Sequence, residues 1–211
     1  MPAATPHLSR DARLVWRALH PLPDPVVAPA LVLLCGLPGT GKTTLATQVA
    51  QRVPVVVLTS DWVRKLLIPQ PVYSHQEHQR VFLACRQVLR ALLTGGVPVI
   101  FDAVNLWESG RRDLVRLAER QGGRSLVVAL TVDPAEAARR LHRRHNGGRA
   151  PHDLSDAGWE VYQAMAASAE PVRLPHLALA TDRDDLAAMA ERVAMFVRGE
   201  GGSAVDEGEA R

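Results

Sequence analysis

The stretch LVLLCGLPGTGKTTLATQVAQ, residues 31–51, decides the fold of this 211-residue chain. It opens with an apolar run at 31–35, which is typical of a strand buried on both faces. A turn rich in glycine follows at 36–41, and a helical pattern then runs from Lys42 to Gln51. A strand, a glycine-rich turn and a helix in this order predict the start of a parallel α/β sheet.

Further strands and helices alternate on the C-terminal side of this unit. Apolar runs predict strands at 55–59, 97–101, 125–132 and 177–180. Helical patterns lie between them at 75–94, 108–121, 134–145, 155–168 and 184–197. The alternation predicts one three-layer α/β/α domain over residues 31–198, with helices on both faces of an open parallel sheet.

Two tails are predicted to flank this domain. Residues 1–30 contain one short helix, which starts at Ser9 or Asp11 and ends at His20, and then a proline-rich arm. Residues 199–211 are rich in glycine and acidic residues and are predicted to form a flexible tail.

The composition is that of a folded globular protein. Hydrophobic residues make up 47% of the chain, charged residues 22%, and the net charge of +3 gives little indication of nucleic-acid binding. Cys35 and Cys85 are predicted to be buried free thiols. Because no apolar stretch approaches the length of a membrane span and the N-terminus has no apolar signal core, we expect a cytoplasmic protein without a membrane partner.

The glycine-rich turn predicts a binding site for the phosphates of a nucleotide. Residues 36–43 match G-x-x-x-x-G-K-[ST] in full, between a strand and a helix. The N–H groups of such a turn point at an anion, and the helix N-terminus adds partial positive charge. Lys42 is predicted to reach the β- and γ-phosphates and to act in catalysis. The predicted ATP-binding residues are Gly36, Leu37, Pro38, Gly39, Thr40, Gly41, Lys42, Thr43 and Thr44.

A Mg²⁺ site is predicted beside this turn. The apolar run at 97–101 is followed directly by Asp102, which ends the predicted strand. In P-loop proteins, an Asp at the carboxyl end of a strand holds the Mg²⁺ ion and its ligand shell. Thr43 would present its hydroxyl group to the same ion. Taken alone, Asp102 could also be a solvated or capping residue at a strand end.

An acceptor-binding group is predicted where the second strand ends. Asp61 follows Thr59 and Ser60 directly, and Arg64 lies one helical turn further on. Because ligands bind at the carboxyl ends of strands in open α/β sheets, Asp61 is expected beside the γ-phosphate. There it could orient an acceptor hydroxyl group and take its proton, while Arg64 binds an anionic part of the acceptor. The competing interpretation is that Asp61 only caps a helix that begins at Trp62.

A basic helix followed by a glycine-containing loop predicts a lid over about residues 134–153. Arg140 and Arg144 are four residues apart and therefore share a helix face. In a closing lid, their guanidinium groups would reach the transferring phosphoryl group. The competing interpretation is a solvated basic face.

Some residues near these segments have less specific patterns. His75 and His78 lack a third metal ligand in the sequence and are expected to line the acceptor cleft or face solvent. Trp62, Trp107 and Trp159 could stack on an acceptor, although packing is the commoner fate of tryptophan.

Four segments, in this order, resemble one family of P-loop kinases. They are GLPGTGKTT (36–44), TSDWVRK (59–65), VIFDAVNL (99–106) and VDPAEAARRLHRR (132–144). The family includes the 5′-polynucleotide kinase domain, zeta toxins and AAA-type ATP-binding proteins, and the resemblance covers about residues 31–197. It implies a five-stranded parallel sheet of order 2-3-1-4-5. The roles that it implies are general base for Asp61, acceptor contact for Arg64, metal and acceptor contact for Asp102, and lid arginines for Arg140 and Arg144.

These features favour an ATP- and Mg²⁺-dependent kinase that phosphorylates a hydroxyl group of a small molecule or of a nucleic-acid end. A 5′-hydroxyl polynucleotide kinase is the alternative within this class. Polynucleotide kinases often read Asp-Thr-Asn in the third segment, whereas here Ala103 and Val104 separate Asp102 from Asn105. The alternative from another class is a regulatory nucleotide-binding ATPase without a dedicated acceptor, in which Asp61 would be only a cap.

Overall fold

The computed structural model describes residues 8–148 and 154–200. The strands in these two ranges are β1 (Ala30–Cys35), β2 (Val56–Thr59), β3 (Val99–Asp102), β4 (Arg124–Thr131) and β5 (His176–Ala180). They form one parallel five-stranded sheet in the order β2-β3-β1-β4-β5, which confirms the predicted fold class and the strand order that the resemblance implied.

Helices cover both faces of this sheet. They are α1 (Arg10–Ala18), α2 (Lys42–Ala50), α3 (Ser60–Leu67), α4 (His75–Thr94), α5 (Glu108–Arg120), α6 (Pro134–His145), α7 (Trp159–Ser168) and α8 (Leu186–Arg198). Alternate side chains of β1 point to opposite faces, so that Leu31 and Leu33 pack with α1, α3, α4 and α5. Val32 and Leu34 pack instead with α2 and α8. The central strand is therefore buried on both faces, as its continuous apolar run predicts.

Strand β3 begins two residues later than the sequence predicts. The strand was expected at 97–101 and is found at Val99–Asp102. Pro98 has no N–H group to give to a neighbouring strand, although its carbonyl oxygen accepts a hydrogen bond from the N–H of Val56 at 3.0 Å. Asp102 is the last residue of the strand, as expected for a buried strand that ends in an acid.

The N-terminal helix packs against the same core as the α/β domain. Ser9 caps α1 by accepting a hydrogen bond from the N–H of Ala12. Ala12 and Val15 are completely buried, and Asp11 accepts a hydrogen bond from Arg80 of α4 at 2.6 Å. Residues 1–7 and 201–211 of the predicted tails, and residues 149–153 of the predicted lid, lie outside the described ranges.

Both cysteines are free and buried, as the sequence predicts. Burial raises the pKa of Cys35 and of Cys85 to about 12, so that neither forms a reactive thiolate at neutral pH. Within the described ranges, no helix combines the length and the apolar character needed to cross a membrane.

Candidate active site

The glycine-rich turn connects β1 to α2 at the carboxyl edge of the sheet. Gly41 is the N-cap of α2 and has a left-handed conformation, with φ at 88°. Inside the turn, Lys42 donates hydrogen bonds from Nζ to the carbonyl oxygens of Gly36 and Leu37 at 2.9 and 3.0 Å. Thr40 donates from Oγ1 to the oxygen of Leu37 at 2.8 Å. These bonds hold the turn around the lysine side chain at the start of the helix.

Gly36 is the residue of the turn with the least space for a side chain. Its φ is +151°, and a Cβ there would lie 2.5 Å from the carbonyl oxygen of Leu130 and 2.7 Å from Oγ1 of Thr40. Leu130 belongs to the buried strand β4, whose backbone cannot move aside cheaply.

Gly36→Ala is therefore expected to lower the free energy of unfolding by about 2 kcal/mol and to weaken nucleotide binding. Thermal unfolding and titration with a fluorescent ATP analogue would measure both effects. Gly110→Ala is the matched control, since a Cβ at this helical position meets nothing within 4 Å. It should be neutral or slightly stabilising. Equal stability of the two variants would show that the turn is not held as described.

The charged groups near Lys42 can be identified from their effect on its pKa. Burial lowers the pKa of Lys42, the charges of Asp102 and Asp61 raise it, and the charge of Arg144 lowers it. The net shift is downward. The ammonium group therefore interacts electrostatically with two carboxylates and a guanidinium group that line the same cleft.

Asp102 and Thr43 meet beside the turn. The carboxylate of Asp102 accepts a hydrogen bond from Oγ1 of Thr43 at 2.7 Å, and Asp102 is 3% exposed. Two hard oxygen donors at this distance fit a Mg²⁺ ion that takes its other ligands from phosphate and water. The described ranges contain no group of three or more His, Cys, Asp or Glu side chains that could hold a metal by itself.

Asp61 is not the cap of α3, so the competing interpretation from the sequence is wrong. The helix begins at Ser60 and its N-cap is Thr59, which leaves Asp61 inside the first turn. Its carboxylate lines the cleft in front of the phosphate turn. Among residues 8–148 and 154–200, this carboxylate has no hydrogen-bond or ion-pair partner. It is therefore available to a ligand.

Arg64 lies in the same cleft, one helical turn from Asp61. The residue is 6% exposed, its guanidinium group lies 5.0 Å from the ring centroid of Tyr73, and Nη1 lies 3.6 Å from a carboxylate oxygen of Glu77. Neither Nε nor Nη1 has a hydrogen-bond partner among the described residues. A buried guanidinium group with unused donors is suited to an anionic ligand.

The two predicted lid arginines lie in different surroundings. Arg140 donates hydrogen bonds to Glu136, to the carbonyl oxygen of Gly39 and to Oγ1 of Thr181, and so ties α6 to the phosphate turn and to the end of β5. Arg144 lines the cleft. The closing lid itself stays a prediction, because residues 149–153 are outside the described ranges.

Most of the predicted residues converge on one cleft of about 1470 Å³. Those that line it are Pro38, Gly39, Gly41, Lys42, Thr43, Thr44, Asp61, Arg64, Asp102 and Arg144. Gly36, Leu37 and Thr40 border a smaller cavity of about 200 Å³ behind the turn. His75, His78 and Trp107 also line the cleft, where the sequence expected the histidines.

The loop after β3 forms the floor between the phosphate turn and the rest of the cleft. Asn105 has a positive φ of 50° and donates from Nδ2 to the carbonyl oxygen of Leu34 at 2.7 Å. The N–H of Gly36 donates to the oxygen of Val104 at 3.2 Å. Arg111 of α5, which is 2% exposed, donates hydrogen bonds to the carbonyl oxygens of Asn105 and Leu106. Asn105 is therefore a buried structural residue that fixes this loop to β1.

Several residues of the site were missed in the sequence. Glu77 accepts hydrogen bonds from the N–H groups of Val72 and Tyr73, and Tyr73 donates from its hydroxyl group to Asp156 at 2.9 Å. The pattern Ser74-x-x-Glu77 indicates a capping box, and Ser74 does accept a hydrogen bond from the N–H of Glu77. It does not indicate that the Glu77 carboxylate would accept from Val72 and Tyr73. Nothing local indicates Asp156, which was placed inside a helix predicted at 155–168 that in fact begins at Trp159.

The sheet order and the turn at its carboxyl edge define a P-loop α/β nucleotide-binding protein. Residues 31–172 match the AAA domain family, and the chain belongs to that family.

Curated relatives and solved structures carry kinase names. The chain is 31% identical over 115 residues to a probable adenylyl-sulfate kinase of Aeropyrum pernix, covering 52% of this chain and 63% of that protein. It is 30% identical over 127 residues to the 2-phosphoglycerate kinase of Pyrococcus furiosus, covering 57% and 40%. The chain thus spans less than two thirds of the length of these relatives. The Mycobacterium tuberculosis APS kinase, solved with AMPPNP and APS, shares the fold with a TM-score of 0.58 at 19% identity, over 83% of this chain and 99% of that one.

Proposed function

We propose that this protein is an ATP-dependent kinase that transfers the γ-phosphoryl group of ATP to a hydroxyl group of a small molecule. The observation that carries the proposal is the carboxylate of Asp61, which lines the same cleft as Lys42 and the phosphate turn. Within residues 8–148 and 154–200 it has no hydrogen-bond or ion-pair partner. In a regulatory ATPase this carboxylate would serve only the attacking water, and the cleft beyond it would have no ligand. The kinase names of the relatives support the same class of reaction.

Each part of the site would have one role in phosphoryl transfer, and these roles belong to the turn, Lys42, Asp61 and Arg144. The N–H groups of the turn and the ammonium group of Lys42 hold the β- and γ-phosphates. Asp61 orients the acceptor hydroxyl group and takes its proton as the oxygen bonds to the γ-phosphorus and the bond to the β–γ bridging oxygen breaks. Arg144 stabilises the charge on the transferring group. ADP and a phosphate monoester leave.

Thr43 and Asp102 would hold Mg²⁺, because their oxygen atoms already lie within hydrogen-bond distance of each other. When bound, the ion neutralises charge on the phosphate oxygens. Arg64 would take an anionic part of the acceptor, since two of its donor atoms have no hydrogen-bond partner in the described part of the chain. A cytoplasmic location is part of the proposal, because free buried cysteines suit a reducing compartment.

A 5′-hydroxyl polynucleotide kinase remains the narrower candidate. A nucleic-acid strand needs a row of cations along its path, because phosphate contacts dominate its binding. Arg86, which lines the outer cleft, is paired with Asp113 at 3.6 Å. This pairing favours a small-molecule acceptor over a strand.

Transfer from γ-labelled ATP across nucleosides, oligonucleotides, sugars, sugar acids and aminoglycosides tests the proposal. Label is expected on at least one small-molecule alcohol, in a Mg²⁺-dependent reaction. Salt-sensitive labelling of oligonucleotides alone would favour the polynucleotide kinase. ATP hydrolysis that no acceptor changes would instead support the regulatory ATPase and refute a kinase.

A further inference from the structure

The cleft extends well beyond the reacting groups, and one wall of its outer half is apolar. Helices α4, α5 and α7 and the loop before α5 form its sides. The side chains that we call the apolar wall are Phe82, Leu83, Leu106, Trp107, Val161 and Met165. Leu83 is 57% exposed, Trp107 47% and Val161 40%. Large apolar side chains that face one shared cleft mark a binding surface rather than a core.

Aromatic rings follow one another along this wall. Phe82 meets the buried ring of Phe101 edge-on, with centroids 5.9 Å apart, and lies 4.4 Å from the ring of His78. His78 in turn meets Trp107 edge-on at 6.0 Å. The row runs from the sheet to the mouth of the cleft. Such edges and faces suit contact with a further flat ring.

Charge is concentrated at the opposite end. Lys42, Arg64 and Arg144 line the phosphate half of the cleft. In the outer half, Arg86 is paired with Asp113. Burial, together with the charges of Arg64 and His75, lowers the pKa of His78 and keeps its ring neutral at pH 7. The cleft therefore combines three cations where phosphate would be transferred with an apolar wall where the body of the acceptor would lie.

The size of the cleft also leaves room for such a body. Its volume of about 1470 Å³ exceeds the range of roughly 300 to 1,000 Å³ that holds one drug-sized ligand. A nucleotide and a second molecule can therefore be accommodated together.

We propose that the acceptor is a small alcohol with an aromatic body, whose hydroxyl group meets Asp61 and whose ring lies on the apolar wall, while any anionic group that it carries meets Arg64; this assignment rests on the proposed kinase function. The hydroxyl groups of a sugar, a sugar acid or an aminoglycoside would lie against the six side chains of the apolar wall, of which only Trp107 carries an N–H donor. Such polyols are expected to be poor acceptors.

Two measurements test this assignment. In the first, 8-anilinonaphthalene-1-sulfonate is titrated into protein with the ATP analogue AMPPNP present, and the emission of the probe and of tryptophan is followed. Leu83→Gln removes one apolar contact and should weaken binding of the probe by about tenfold. Met195→Gln is the matched control, because Met195 is 40% exposed on α8, away from the cleft.

In the second measurement, label transfer from ATP is compared for an aryl diol, a nucleoside, glycerate and gluconate.

The assignment expects probe binding that depends on Leu83, and transfer to the aryl diol or the nucleoside at least about tenfold faster than to glycerate or gluconate. Preference for glycerate or gluconate would overturn it and leave the kinase function intact. The same follows if Leu83→Gln and Met195→Gln bind the probe equally. Probe binding without transfer to any alcohol would instead refute the kinase function, and the acceptor assignment with it.

Discussion

Asp61→Asn is expected to reduce phosphoryl transfer by about 10² to 10⁴-fold, the usual contribution of a general base. ATP binding should be nearly unchanged, because the phosphate turn lies on β1 and α2 whereas Asp61 lies on α3. Asparagine has the same shape, and the carboxylate that it replaces has no hydrogen-bond or ion-pair partner within residues 8–148 and 154–200. Thermal stability should therefore not fall. Steady-state transfer and titration of an ATP analogue measure the two quantities separately.

A secondary effect of this variant can be given a sign. The charge of Asp61 helps to raise the pKa of Lys42 against burial. Its removal lowers that pKa further, so any loss of ATP affinity in Asp61→Asn should grow as the pH rises. Asp24→Asn, in the exposed arm before β1, controls for the loss of one negative charge. Full transfer activity in Asp61→Asn would remove the base from the mechanism.

Arg111→Leu is expected to lower the free energy of unfolding by about 4 kcal/mol, within the range for breaking a buried ion pair. The guanidinium group donates to Glu108 at 2.9 Å and to the carbonyl oxygens of Asn105, Leu106, Glu170 and Pro171. Leucine would remove a donor from all five groups and would leave the buried carbonyl oxygen of Asn105 without the bond it accepts from Arg111. For a chain of this size, the midpoint of thermal unfolding should fall by about 10 °C.

The neighbouring residue provides the control. Arg112 donates to the other oxygen of Glu108 at 3.1 Å, but its side chain is 48% exposed. Arg112→Leu should therefore change the free energy of unfolding by at most about 1 kcal/mol. Circular dichroism during heating compares the two variants. Similar losses would mean that the hydrogen bonds of Arg111 to the backbone carry little stability.

These two arginines also show where reasoning from the sequence ends. The apolar runs and the phosphate turn predict the sheet, because buried strands and glycine-rich turns have recognisable local sequence patterns. Arg111 and Arg112 are adjacent on one helix and equivalent in composition. Only the tertiary position of α5 decides that one becomes the buried support of a loop while the other stays in solvent.

The sequence also predicts part of the candidate site, namely the residues whose position follows from the strand order. Asp61, Asp102 and Lys42 each stand at the end of a strand or the start of a helix, so the sheet order alone brings them to one edge. The helix expected at 155–168 begins only at Trp159, because Asp156 is engaged by Lys65 and Tyr73 from distant parts of the chain. Contacts of that kind leave no local pattern.

The exposure of the apolar wall has a consequence for how such a protein can diverge. Three of its side chains, Leu83, Trp107 and Val161, are each at least 40% exposed. Replacing them should therefore lower the free energy of unfolding only slightly. The residues that hold the phosphate turn and the loop beneath it, by contrast, are buried and bonded from several sides. In a kinase of the proposed kind, mutation could thus change which alcohol is accepted, one surface residue at a time, while the residues proposed to bind ATP are inherited intact.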